Sequence, residues 1–327
     1  MVGLYYYYAL TGIHSGDVVI LERNHTGADA WGIVTQWSIL FARSRVTVAI
    51  SGDIIALGTE GDRPPLTGWW VDIHHRNEGG TSNWGKIATI NGDPNTELGA
   101  AVSLEGDTLA IGAPATDGLG AVSVRKRHEG GADNWGTVAT LYASDGATGD
   151  RFGSSLAINH GILAVGAPSA QSGRGAFYLF DRNEYGADLW GEVRKMTVSD
   201  GAAGDNLGTS LTYDGRTIVV GAPGDNSTYV FNQEGVVWSR ISTLVASDAW
   251  QGDEFGAAVS VNGDNLVVGS PNADPQKADQ GSVYVLARNQ DGADAWGEVK
   301  KLRLPWDESE NYDRFGTSVA IDDDTLA

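Results

Sequence analysis

The sequence predicts an all-β chain folded as a six-bladed β-propeller of four-stranded blades, and three observations carry that prediction. The composition is that of many short strands joined by tight turns: 45 of 327 residues are Gly, and Val, Thr, Tyr and Trp are plentiful. One strand–turn–strand phrase recurs along the whole chain. The recurrence also runs through the chain ends without losing its period.

The repeat is read by self-comparison. "LGAAVSLEGDTLAIGAP" from Leu98 is matched by "FGSSLAINHGILAVGAP" from Phe152, "LGTSLTYDGRTIVVGAP" from Leu207 and "FGAAVSVNGDNLVVGSP" from Phe255. A weaker copy, "SRVTVAISGDIIALGTE", starts at Ser44, and a cut one, "FGTSVAIDDDTLA", starts at Phe315. Downstream of the phrase comes a second, as in "RHEGGADNWG" from Arg127 or "RNQDGADAWG" from Arg288. Within the copy from Phe152 the runs "SSLAI", "LAVGA", "AFYLF" and "EVRKMTV" are four alternating strands, the first two joined by a tight turn.

The phrase starts at residues 44, 98, 152, 207, 255 and 315, in steps of 48 to 60. Running from 315 through the last residue and back to 44 gives a step of 56. The expectation is therefore a closed ring over residues 1–327 whose sixth blade is shared, 312–327 with 2–38. The other blades are expected at 39–92, 93–144, 145–199, 200–247 and 248–306. A ring of this kind leaves no unpaired sheet edge where the chain ends meet.

These phrases, in order and in phase, resemble the FG-GAP repeat, which is related to the propeller of integrin α-subunits. The blade from Ser44 lacks both the FG and the GAP, and the split blade has FG but carries "GLYYYYAL" in place of GAP. The resemblance implies an extracellular or cell-surface protein of adhesion or recognition. Integrin-type blades hold calcium in a long D-x-D-x-D-G-x-x-D hairpin. Here that hairpin is cut to "EGD", "NHG", "DGR", "NGD" and "DDD", too short to wrap an ion with six or more oxygens. The integrin site is not carried over, and the chain resembles the short-hairpin variety of the repeat.

Candidate functional residues are those the repeat does not explain. Tyr5, Tyr6, Tyr7, Tyr8, Trp69 and Trp70 break the pattern in the variable loops of two neighbouring blades. Such aromatics stack on sugars or anchor a protein partner, or else they cover a weak seam. The once-per-blade Trp31, Trp84, Trp135, Trp190, Trp238 and Trp296 read first as packing, and a sugar-stacking platform is the lesser reading. The inter-blade loops "SDGATGD", "SDGAAGD" and "SDAWQGD" place Asp145 and Asp150, Asp200 and Asp205, and Asp248 and Asp253 five apart. Asp before Gly is ordinary turn chemistry, while paired carboxylates with loop carbonyls also suit structural calcium, the one cofactor this pattern allows.

Charge and residue types exclude several classes. There are 42 acidic against 22 basic residues, a net charge of −20, which argues against nucleic acid as a partner. No apolar run approaches the length of a membrane span, so no membrane insertion is expected. The N-terminus lacks the basic and apolar regions of a signal peptide. With no Cys there is no disulfide and no thiol nucleophile. The six His are scattered, and His74 and His75, adjacent in a strand, point to opposite faces. The first strands are small and apolar. The expected function is thus a non-enzymatic binding or adhesion module, monomeric, working outside the cell or on its surface on a protein or glycan ligand. A lectin using the aromatic loops is the alternative, and a scaffold or a propeller enzyme stands behind it. Asn24 and Asn226 head glycosylation sequons.

Overall fold

The computed structural model describes residues 2–8, 14–23, 31–40, 42–63, 66–80, 83–235, 237–273, 278–290, 292, 294–305, 312–322 and 325–326. They form two compact units, Met1–Tyr142 and Ala143–Ala327. The chain is all-β, a succession of antiparallel sheets each made of consecutive strands.

In the first unit β1 (Val2–Tyr8), β2 (His14–Arg23) and β3 (Trp31–Leu40) make a three-stranded sheet. Two four-stranded sheets follow: β4 (Ala42–Ser51), β5 (Ile54–Arg63), β6 (Leu66–Arg76) and β7 (Trp84–Asn91), then β8 (Ala101–Glu105), β9 (Thr108–Ala113), β10 (Ala121–Arg127) and β11 (Trp135–Leu141). The second unit holds three more. They are β12 (Ser155–Asn159), β13 (Ile162–Ala167), β14 (Ala176–Asp181) and β15 (Gly191–Met196); β16 (Ser210–Tyr213), β17 (Thr217–Ala222), β18 (Ser227–Glu234) and β19 (Val237–Leu244); and β20 (Ala258–Asn262), β21 (Asn265–Ser270), β22 (Ser282–Arg288) and β23 (Trp296–Leu302). It closes with the hairpin of β24 (Ile321–Asp322) and β25 (Thr325–Leu326).

Burial follows strand position. The second strands "TLAIGA" and "TIVVGA" are buried throughout and, after their leading Thr, apolar. The fourth strands alternate, as in "WGTVATL", putting polar side chains toward water at the sheet edge. Every third-to-fourth pairing slips register once, at Ile73/His74, Val124/Arg125, Leu179/Phe180, Val230/Phe231 and Val285/Leu286. The β2–β3 pairing slips too, at Ile20/Leu21. In that bulge β2 and β3 resemble a third and fourth strand of the repeat.

The core lies between successive sheets. One cluster joins Ile54, Val71 and Ile73 to Leu109, Ile111 and Trp135; another joins Phe177 and Met196 to Ile218, Phe231 and Trp238. A third joins Val219, Val230 and Leu244 to Phe255, Leu266 and Trp296. Of the once-per-blade indoles, Trp84, Trp135, Trp190, Trp238 and Trp296 are all buried, so their recurrence is packing; the side chain of Trp31 lies outside the description.

The two recurring glycines of the repeat meet each other. A Cβ on Gly221 would stand 1.9 Å from the carbonyl oxygen of Gly256 in the next copy, and one on Gly166 would stand 2.2 Å from that of Gly208. Ser210 and Ser155 donate to those same oxygens, each at 2.7 Å. The repeat phrase therefore encodes one close backbone approach from sheet to sheet, locked by a hydroxyl.

Candidate functional site

The second repeat phrase is a brace. In "RNxxGADxWG" the Arg pairs with the Asp six residues on: Arg127 with Asp133 at 2.7 Å, Arg182 with Asp188, and Arg288 with Asp294 at 3.5 Å. The residue after the Arg accepts that Asp's backbone N–H, from Asp294 onto Asn289 at 2.8 Å and from Asp133 onto His128 at 3.0 Å. Arg288 also lies over Trp296, 5.0 Å from the ring centre. These groups are spent on the loop itself.

The paired Asp residues divide in the same way. The second of each pair is buried, and Asp150 and Asp253 accept the backbone N–H three residues back, from Ala147 at 2.8 Å and Trp250 at 2.9 Å. Asp205 takes the N–H of Ala202 likewise. The first of each pair is ion-paired to the fourth strand: Asp145 to Lys195 at 2.5 Å, Asp200 to Arg240 at 2.6 Å, Asp248 to Lys301 at 2.7 Å. Among the described residues no three carboxyl or imidazole groups gather closely enough to hold a metal ion.

Each of those cations sits on the face of a tyrosine, Lys195 on Tyr178, Arg240 on Tyr229 and Lys301 on Tyr284, at 5.3, 5.5 and 4.8 Å. The Tyr178 and Tyr284 hydroxyls donate to Asp145 and Asp248, and Tyr229 donates to Asp225. The Lys195 hydrogen bond holds Asp145 below the usual carboxylate range. Burial pushes Asp248 up, but Lys301 and Tyr284 outweigh it and leave that carboxyl low as well. Burial first, and then the neighbouring carboxylates, push all three phenols up. A raised phenol pKa means the folded chain holds the proton more tightly than the unfolded one. The stability it contributes is complete below about pH 10 and is lost above that. In an alkaline absorbance titration, three of the 11 tyrosines should stay protonated until the chain unfolds; full phenolate absorbance from a still-folded chain would contradict this brace.

One loop departs from the pattern. Trp250 stands where the equivalent loops have Ala147 and Ala202, and its side chain is 79 % exposed. Its backbone is nevertheless held on both sides. The N–H goes to Asp253, and the carbonyl accepts the Asn226 side-chain amide at 2.7 Å. Asn226 occupies a left-handed position (φ 56°) where the neighbouring copies have Gly175 and Gly281. Those glycines bridge backbone-to-backbone to Leu207 and Phe315. The Asn226 side chain replaces that bridge by accepting the Phe255 N–H at 3.3 Å. The nitrogen a glycan would need is thus committed and 9 % exposed as part of Asn226, so this sequon is closed in the folded chain.

Beside Trp250 the second-to-third loop is the long "NADPQKADQG", where the other copies have "SAQSGRG" or "GDNS". Together the two loops wall a cleft of about 540 Å³, lined by Asp248, Trp250, Asp253, Asn272, Asp279 and Lys301 among others. The side-chain oxygen of Asn272 accepts a hydrogen bond from the Arg314 guanidinium at 3.1 Å. The aromatic residues singled out in the sequence are elsewhere. Trp69 and Trp70, in β6, are 8 % and 3 % exposed, so neither presents a stacking face, because that part of β6 is covered on both sides. Tyr5, Tyr6, Tyr7 and Tyr8 lie in β1, paired from Asp17 to His14 of β2, with their side chains outside the description. His74 is buried against the Trp84 carbonyl, and burial lowers its pKa. Trp250, Asn272 and Asp279 were not singled out, although both loops are visible in the sequence as breaks in the repeat.

The FG-GAP repeat model matches the chain at three consecutive stretches, residues 135–180, 190–234 and 238–286. No curated protein matches it by sequence. Among solved structures it is similar to a candidate 6-phosphogluconolactonase of Bacteroides fragilis, with a TM-score of 0.55 and 10% identity, over 93% of this chain and 82% of that one. It is likewise similar to a candidate 6-phosphogluconolactonase of Bacteroides uniformis, with a TM-score of 0.56 and 9% identity, over the same 93% and 82%. The expectation of a non-enzymatic adhesion or lectin module is corrected here, since chains of this fold are named for an enzyme. The physical reason lies in what that expectation rested on. Bare first strands say nothing of loops, and on a repeat scaffold the reactive groups sit on loops.

Proposed function

We propose, because three consecutive stretches of this chain match the FG-GAP repeat, that its function sits where one copy departs from the others, and that the Trp250 cleft hydrolyses a small polyhydroxylated ester or lactone. One observation carries this reading: an exposed indole on a doubly held turn, forming one wall of a 540 Å³ cleft that Asn272 and Asp279 also line. A rigid exposed aromatic with polar groups around it suits a sugar ring, whose C–H face stacks while its hydroxyls bond. The names of the structural neighbours support the choice of a lactone.

In this reading Trp250 seats the ring. Asn272, its oxygen occupied by Arg314, offers its N–H to the carbonyl oxygen as charge develops there. Asp279 takes a proton from water as the water oxygen bonds to the carbonyl carbon. The ring C–O bond then breaks, and the proton passes from Asp279 to the departing oxygen. Lys301 and Asp248 keep their bracing role. A pH-stat assay on D-glucono-1,5-lactone and a panel of sugar esters tests the reading. Hydrolysis at the buffer rate across the panel would overturn it.

The same proposal places the protein outside the cytoplasm, as is typical of FG-GAP repeats, with a glycan-like ligand. The spacing of the repeat supports the finer fold reading too: one propeller whose sixth blade combines 312–327 with 2–38. Deleting 312–327 is then expected to unfold or oligomerise the chain, and a monomer with an unchanged melting temperature would refute the closure.

A further inference from the structure

We infer that the site extends past Trp250 to a second aromatic subsite at Tyr312, so that its substrate is the lactone or ester of an oligosaccharide and not of a single sugar; this rests on the reading of the Trp250 cleft as the substrate site. Tyr312 is 68 % exposed. It stands where the same link in the three preceding copies has Gly149, Gly204 and Gly252. Those glycines lie at φ 93°, 95° and 96°, and a Cβ on any of them would meet nothing within 4 Å. This position of the repeat therefore opens into free space. Tyr312 keeps the left-handed backbone, at φ 68°, which disfavours a bulky side chain. So exposed a residue gains little packing in return. Backbone strain that no packing offsets points to a function for the side chain.

The two aromatics flank one loop. On the Trp250 side the N–H of Asn272 bonds the Asp253 carbonyl at 3.2 Å. On the other side the N–H of Tyr312 bonds the Ala278 carbonyl at 2.8 Å, and that of Arg314 bonds the Asp279 carbonyl at 3.0 Å. Asn272 and Asp279 line the cleft, so Tyr312 is fixed, backbone to backbone, to the neighbour of a cleft residue. An indole on one side of the loop and a phenol on the other suit successive rings of a saccharide, each stacking one C–H face. In the hydrolysis proposed above, Trp250 seats the ring that opens and Tyr312 the sugar linked to it. The bonds that form and break are the same.

The test is pH-stat hydrolysis by the intact chain of D-glucono-1,5-lactone against cellobiono-, maltobiono- and lactobiono-1,5-lactone, in which the same reacting ring carries a second sugar. At least one disaccharide lactone is expected to show a kcat/KM about tenfold or more above the monosaccharide lactone, with most of the gain in KM. Tyr312→Gly should abolish that gain with a melting temperature no lower than the parent's, because glycine suits the backbone there. Tyr312→Phe should keep the gain, since stacking uses the ring and not the hydroxyl. Trp250→Ala should weaken all four substrates. Equal kcat/KM for the mono- and disaccharide lactones, or a gain that survives Tyr312→Gly, would overturn the second subsite and leave the Trp250 reading in place. A lower melting temperature in Tyr312→Gly would show that the ring packs, and would overturn the subsite likewise. Hydrolysis of all four at the buffer rate would overturn both.

Discussion

Gly221→Ala is expected to cost the fold about 3 kcal/mol, at the upper end of what overpacking a core position costs. The added methyl would lie 1.9 Å from the Gly256 carbonyl oxygen and 2.4 Å from the Ser210 hydroxyl. Neither can move away cheaply. The oxygen belongs to backbone held by a hydrogen bond from Gly256 N–H to the Gly269 carbonyl at 3.0 Å, and the hydroxyl donates to the Gly256 carbonyl itself. Relief would have to come from separating two packed sheets, and that opens the cluster of Val219, Val230 and Val259 between them. The melting temperature should fall by roughly 5–10 °C for a unit of this size. Gly146→Ala is the control: its Cβ would meet nothing closer than 3.4 Å, and no measurable change is expected. Thermal unfolding followed by circular dichroism decides the matter, and equal melting curves for the two variants would show that the glycine contact carries no stability.

The second large effect is on activity. Asp279→Asn preserves shape but removes the base, so kcat on the responsive lactone should fall by about 10²–10⁴-fold with KM little changed. Trp250→Ala should do the reverse and raise KM by about tenfold or more, the scale of a lost stacking contact of 1–2 kcal/mol. Because the indole is 79 % exposed, the melting temperature should not move, which separates loss of binding from loss of fold. Equal effects of both variants on kcat and KM, or no effect of either, would remove these residues from the proposed roles.

Much of the architecture was legible in the residues because it is written six times. The strand order, the tight turns and the indoles at the sheet-to-sheet seam recur at fixed spacing, and recurrence separates packing from function without any coordinates. The acidic pairs show the limit of that reasoning. Their five-residue spacing fits both a turn and a calcium site. Only the positions of Lys195, Arg240 and Lys301, some 40 to 53 residues further on, show that the first carboxylate of each pair is already matched. Trp69 and Trp70 show it again. They break the repeat as a ligand site would, yet they are buried, because burial depends on what packs over a strand and not on the strand itself.

By itself, then, the sequence determined the all-β class, the register of each repeat and which positions are common to all copies, since these follow from local alternation and turn chemistry. Tertiary structure decided which of the uncommon positions matter. Trp250 and Asp279 are 29 residues apart and share no local pattern; they line one cleft, where Asn226, from the preceding copy, and Asp253 hold the Trp250 turn. A contact between loops of different copies is set by how sheets stack, and stacking leaves no periodic mark on the chain.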